Sequence, residues 1–118
     1  MAISHLLSGE VASLLPLGDK LEQTPTTAFF KDERLEVMRI VLPAGKRMPA
    51  HAVNGPTTVQ CIEGEVELRI GDTHKVMRAG DLLYLAARVL HELAAVENSS
   101  LLVTIALQAP SGTSGTSG

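Results

Sequence analysis

The chain has 118 residues, with 10 Lys+Arg against 13 Asp+Glu and a formal net charge of −3, a length that suits one domain with one core. The mild negative balance argues against nucleic acid or a membrane surface as partner, since both call for clustered Lys and Arg, and 3% aromatic residues leave little for base stacking. The single cysteine, Cys61, excludes an internal disulfide framework and a four-cysteine zinc site. With no basic leader and no run of about 18 apolar residues, a cytoplasmic location is the expectation.

Along the chain, residues 1–25 are read as an edge segment packing on the rest. Within it Ser8 could cap a short helical turn over GEVASLL that stops at Pro16, or the same residues could run irregularly. From Thr26 the pattern is strand after strand. Leu35–Leu42 (LEVMRIVL) is mostly apolar and stops at Pro43-Ala44-Gly45. Residues 57–62 (TTVQCI) follow and close at Glu63-Gly64. Glu65–Ile70 alternates, with Glu65, Glu67 and Arg69 on one face and Val66, Leu68 and Ile70 on the other. Gly71-Asp72 makes a tight hairpin turn into 74–78, and Ala79-Gly80-Asp81 makes another turn into the short strand Leu82–Leu85. Segments 91–96 and 101–107 complete the set. The last ten residues, APSGTSGTSG, hold no apolar anchor, so 109–118 are expected to be a flexible tail and 26–108 the folded barrel. Some eight short strands with turn signals between them indicate an all-β sandwich or barrel.

Residues 45–95 resemble the cupins, small jelly-roll barrels also called double-stranded β-helices. The first cupin motif is Gly, five residues, His, one, His, three or four, Glu, six, Gly. Gly45, His51 and Gly64 stand in register, whereas Val53 and Thr57 occupy the positions of the second His and the Glu. The second motif is Gly, five, Pro, one, Gly, two, His, three, Asn. Here Gly80 and His91 match, while Ala86, Arg88 and Ala95 replace Pro, Gly and Asn. The resemblance implies an RmlC-like small cupin whose inward side chains line a ligand pocket, with Met48, Val53, Thr57 and Cys61 among them. It also implies a divalent ion (Zn, Ni, Mn or Fe) at His51 and His91.

In metal-binding cupins three His and one Glu hold the ion, and only two of those four positions are filled in this sequence. Three readings of His51 and His91 therefore stand: structural imidazoles bonded to backbone or to each other, ligands of an ion completed by water or substrate, and polar contacts in a metal-free pocket. Cys61 lies four residues after Thr57, on the same strand face, and reads as packing, with a soft metal ligand as its alternative. His5 and His74 match no motif position, and the row Glu63, Glu65, Glu67 reads as a polar outer face. Two functions follow: a metal-dependent enzyme acting on a small oxygen-rich molecule, and a non-catalytic binding or sensing protein. No catalytic residue is identifiable. Sheet edges that need covering, together with the resemblance, lead to the expectation of a homodimer.

Overall fold

The computed structural model describes residues 6–107; His5 and the tail 109–118 lie outside them. Among the described residues nine strands form, all paired antiparallel: β1 (Thr27–Lys31), β2 (Leu35–Leu42), β3 (Arg47–His51), β4 (Thr57–Glu63), β5 (Glu65–Ile70), β6 (Thr73–Arg78), β7 (Leu82–Leu85), β8 (His91–Ala95) and β9 (Ser99–Ala106). They make a five-stranded sheet in the order β1-β2-β9-β4-β7 and a four-stranded sheet in the order β3-β8-β5-β6. The inner faces of the two sheets enclose an aliphatic core, in which Val66, Leu68 and Leu101 are fully buried. This is the expected all-β jelly-roll barrel.

The strands with clear alternation or long apolar runs lie where the sequence places them. β5 has Val66 and Leu68 inward and Glu67 and Arg69 outward. Gly71-Asp72 links it to β6 in a two-residue hairpin, and Gly71 has φ +58, the left-handed value such a turn needs at its first central position. β1 and β3 are the strands that sequence patterning does not name. β3 reads RMPAH, with two apolar side chains, Met48 and Ala50, around a proline. Because β3 is a sheet edge, the N–H that Pro49 lacks removes no interior ladder bond.

The amino-terminal segment takes the irregular course. Residues 6–17 contain no helix, and Ser8-Gly9 form a turn in which Glu10 accepts the Leu7 N–H (2.8 Å). A six-residue 3-10 helix, Gly18–Gln23, follows and buries Leu21. The segment crosses the outer face of the five-stranded sheet. The Leu6 N–H donates to the Phe29 carbonyl of β1 (2.8 Å). Arg39 of β2, buried, donates to the carbonyls of Ser13 (3.4 Å) and Leu15 (3.2 Å). Glu63 at the end of β4 accepts the N–H groups of Leu17 (2.9 Å) and Gly18 (3.1 Å). Among the described residues no helix is long and apolar enough to cross a membrane.

Candidate functional site

β3 and β8 pair antiparallel with His51 directly opposite His91. On one face of such a pair, opposed side chains meet, and the two imidazole centroids lie 4.4 Å apart with planes inclined by 52°. His91 is buried and His51 half-buried. Each ring is tied to its own strand by the same device. His51 Nδ1 lies 3.1 Å from the Pro49 carbonyl oxygen and His91 Nδ1 lies 2.9 Å from that of Val89. A carbonyl oxygen can only accept, so Nδ1 is the donor in both rings, and in the neutral ring Nε2 keeps a lone pair.

A bend precedes His91. Arg88, at the motif position of a glycine, has φ +65, and its N–H donates to the Val53 carbonyl. A left-handed backbone, which glycine adopts freely, is thus carried here by an arginine, at a conformational cost of about 1–3 kcal/mol. That bond joins the loop after β3 to the loop before β8 and holds Val53 beside the histidines.

Both imidazoles line a cavity of about 270 Å³ between the sheets. Thr57 is its other polar residue, and its hydroxyl is committed to the Gly55 carbonyl (3.1 Å). The remaining walls are apolar: Met48 and Val53, with Met38 and Ile40 of β2, Val59, Leu93, and Val103 and Ile105 of β9. The cavity therefore brings together His51, His91, Met48, Val53 and Thr57. Cys61 does not reach it. The thiol is fully buried and directed at the carbonyls of Glu63 (3.4 Å) and Gly64 (3.8 Å). Burial pushes its pKa up, and the nearby Asp81 carboxylate adds to the rise, so it is a neutral packing group at neutral pH.

Tyr84 points away from the barrel interior and is exposed, on the outer face of β7 opposite Thr58. His74 is exposed on β6, on the outer face of the four-stranded sheet, beside Arg69 and the Arg47–Glu92 ion pair (2.6 Å). In the acidic row, Glu65 pairs with Arg78 (3.4 Å) at the surface. Glu63 departs from the solvent-facing reading. Besides the Leu17 and Gly18 N–H groups it accepts the Ser100 hydroxyl. Burial alone would raise its pKa, but these donors and the Arg39 guanidinium outweigh burial and hold the carboxyl below its ordinary value. Among the described residues no three of His, Cys, Asp and Glu come together as metal ligands.

The family model described as a cupin domain matches residues 38–106. A cupin superfamily protein from Desulfitobacterium hafniense superposes with TM-score 0.73 at 14% identity, covering 92% of this chain and 100% of that one. A conserved Streptococcus pyogenes protein of unknown function gives TM-score 0.72 at 22% identity, with 93% and 100% coverage. An RmlC-like cupin from Methanocaldococcus jannaschii with a double-stranded β-helix fold gives 0.69 at 20% identity, with 84% and 94% coverage. No curated protein matches the sequence.

Proposed function

The chain belongs to the cupin domain family, and on that premise we propose that it is a binding cupin whose barrel takes a compact, mainly apolar small molecule with one polar group at His51 and His91. The observation that carries this reading is the composition of the cavity: aliphatic and methionine walls meet two imidazoles at one strand pair. Such a cavity favours apolar atoms over hydroxyl-rich ones, which would lose their water without replacement hydrogen bonds. Each Nε2 accepts, so the matching polar group is a donor such as a hydroxyl or an amide N–H.

The test is calorimetric titration of metal-free protein with a phenol or a short branched alcohol, and in parallel with a hexose and a sugar acid. The phenol or alcohol is expected to bind. His91→Ala is expected to weaken it by up to about tenfold, the worth of one buried hydrogen bond. Tighter binding of the sugar acid would overturn the reading.

The two free lone pairs favour a second reading, a divalent ion (Zn, Ni, Mn or Fe) serving an enzyme. The donor set speaks against it. Catalytic divalent sites use about three protein ligands, and Val53 and Thr57 supply neither an imidazole nor a carboxylate. A doubly charged ion would also sit among aliphatic walls with no anion to neutralise it.

The proposed partner for the outer surface is a second copy of the chain. Leu82 and Tyr84 are 68% and 66% exposed on the outer face of the edge strand β7. Leu15, on the amino-terminal segment over the same sheet, is 74% exposed. Apolar side chains at a sheet edge gain by being covered. Light scattering at micromolar concentration is expected to give twice the mass of one chain, and Leu82→Asp with Tyr84→Asp to halve it. A single-chain mass for the parent protein would refute the dimer. The lone buried thiol suits the reducing cytoplasm proposed as its location.

A further inference from the structure

We propose that Asn54, on the loop between β3 and β4, is a site of spontaneous covalent modification: the Gly55 backbone nitrogen displaces its side-chain amide, and the position becomes aspartate and isoaspartate. This goes beyond the small-molecule reading and does not depend on which ligand the cavity takes. Asparagine is a thermolabile residue, and how fast it reacts is set by the residue after it and by how both are held. The chain has two asparagines, Asn54 ahead of Gly55 and Asn98 ahead of Ser99. Both are followed by a small residue, so the local sequence exposes both to the reaction, and the structure separates them.

The first argument is access. Asn54 is exposed in a bend of the loop. Among the described residues neither its side-chain amide nor the Gly55 N–H has a hydrogen-bond partner, so no bond has to break before the two meet. The backbone on either side is engaged: the Val53 carbonyl accepts the Arg88 N–H (2.6 Å) and the Gly55 carbonyl accepts the Thr57 hydroxyl (3.1 Å). The second argument is that the fold demands a glycine at 55. Gly55 is buried, and a Cβ built there runs into the Ala106 carbonyl oxygen of β9, with the carbonyl carbon at 2.8 Å. Without a side chain, the Gly55 nitrogen is the least hindered nucleophile the backbone offers. Close packing against β9 thus imposes on Asn54 the neighbour that obstructs attack least.

Asn98 is exposed as well, but it is held. Its Oδ1 accepts the Ala44 N–H (2.8 Å) and its Nδ2 donates to Glu22 (3.3 Å). Ser99 after it is fully buried at the start of β9, opposite Leu42. Attack there requires both side-chain bonds and the strand end to open, so the folded chain protects Asn98. At Asn54 the Gly55 nitrogen gives its proton to water and bonds to Cγ, and the bond from Cγ to Nδ2 breaks to release ammonia. Water then opens the five-membered imide at either carbonyl, which leaves aspartate or isoaspartate and uses no oxidant or reductant. The product adds one negative charge to a chain of formal net charge −3, on the loop whose Val53 lines the cavity.

The experiment is incubation of the full chain at mildly alkaline pH, folded in buffer and unfolded in urea, followed by tryptic digestion and mass spectrometry. A sample digested at the start corrects for conversion during digestion. Trypsin cuts after Arg47, Arg69 and Arg88, so the two asparagines fall in separate peptides, 48–69 and 89–118. In the folded chain only peptide 48–69 is expected to gain the single mass unit that marks exchange of an amide for a hydroxyl. It should also split into two chromatographic forms, one of them a substrate for an isoaspartyl methyltransferase. In urea both peptides are expected to change, because unfolding frees Asn98. Asn54→Gln should abolish the change in peptide 48–69, since glutamine has to close a larger ring, with a thermal melt confirming the fold of the variant. A folded chain that keeps Asn54 intact over the time in which the urea sample converts would overturn the proposal. Equal conversion of Asn54 and Asn98 in the folded chain would overturn it as well.

Discussion

Gly64→Ala is expected to destabilise the protein by about 3–5 kcal/mol, a large part of what a domain of this size has to lose. Gly64 sits between β4 and β5 with φ +89, where an alanine is strained by about 1–3 kcal/mol from conformation alone. Space adds to this. A Cβ built there meets the Asn98 carbonyl oxygen and Ser99 Oγ, with Ser99 Cα at 2.7 Å. Ser99 cannot retreat, because it is fully buried and its hydroxyl is bonded to the Glu65 N–H (3.0 Å) and to the Glu97 carbonyl (2.7 Å). Gly80 is the internal control. It has φ +94 but open space around the position of a Cβ, so Gly80→Ala should cost only the conformational part. Urea unfolding of the two variants beside the parent decides the matter, and equal losses would show that contact with Asn98 and Ser99 contributes nothing.

Removing the neighbouring side chain has the second largest expected effect. Glu63→Ala deletes the acceptor of three hydrogen bonds, from the Leu17 and Gly18 N–H groups and the Ser100 hydroxyl. It also leaves Arg39, whose Nε has no hydrogen-bond partner among the described residues, without its nearby negative charge. Hydrogen bonds to charged groups contribute more than neutral ones, but Glu63 is partly exposed, so a loss of about 2 kcal/mol is expected.

The effect should depend on pH in a definite direction. The Glu63 carboxyl is held below its ordinary value of 4.5 in the folded chain, so the unfolded chain takes up the proton first as pH falls. The contribution of Glu63 is therefore fully present above about 4.5 and is lost as pH drops through the depressed folded value. Glu63→Gln should differ most from the parent at neutral pH and converge on it in acid. A difference that stays constant between neutral pH and pH of about 3 would contradict the assignment. Freed of its anchor, the segment over the sheet should also be cut faster by trypsin at Lys20.

The strands with strong local signals were legible in the amino-acid sequence. The alternation over Glu65–Ile70, the Gly71-Asp72 turn and the apolar run Leu35–Leu42 each reflect chemistry that repeats within a few residues. The two histidines were legible as well, because Gly45, Gly64 and Gly80 stand at motif distances from them. β3 was not legible: Arg47 and Pro49 carry no strand pattern, and its pairing exists because β8 is beside it.

What the amino-acid sequence determined alone was the all-β class, most strand positions and the two imidazoles, since periodicity and turn chemistry are local. Only the tertiary structure decided that Cys61 is turned toward the carbonyls of Glu63 and Gly64 and away from the histidines, that Met48 joins His51 through a register shift, and that Glu63 binds backbone 46 residues away at Leu17. These depend on which strand edges and faces meet across the barrel, and a side chain's distant partner is set by that register rather than by its own neighbours in the chain.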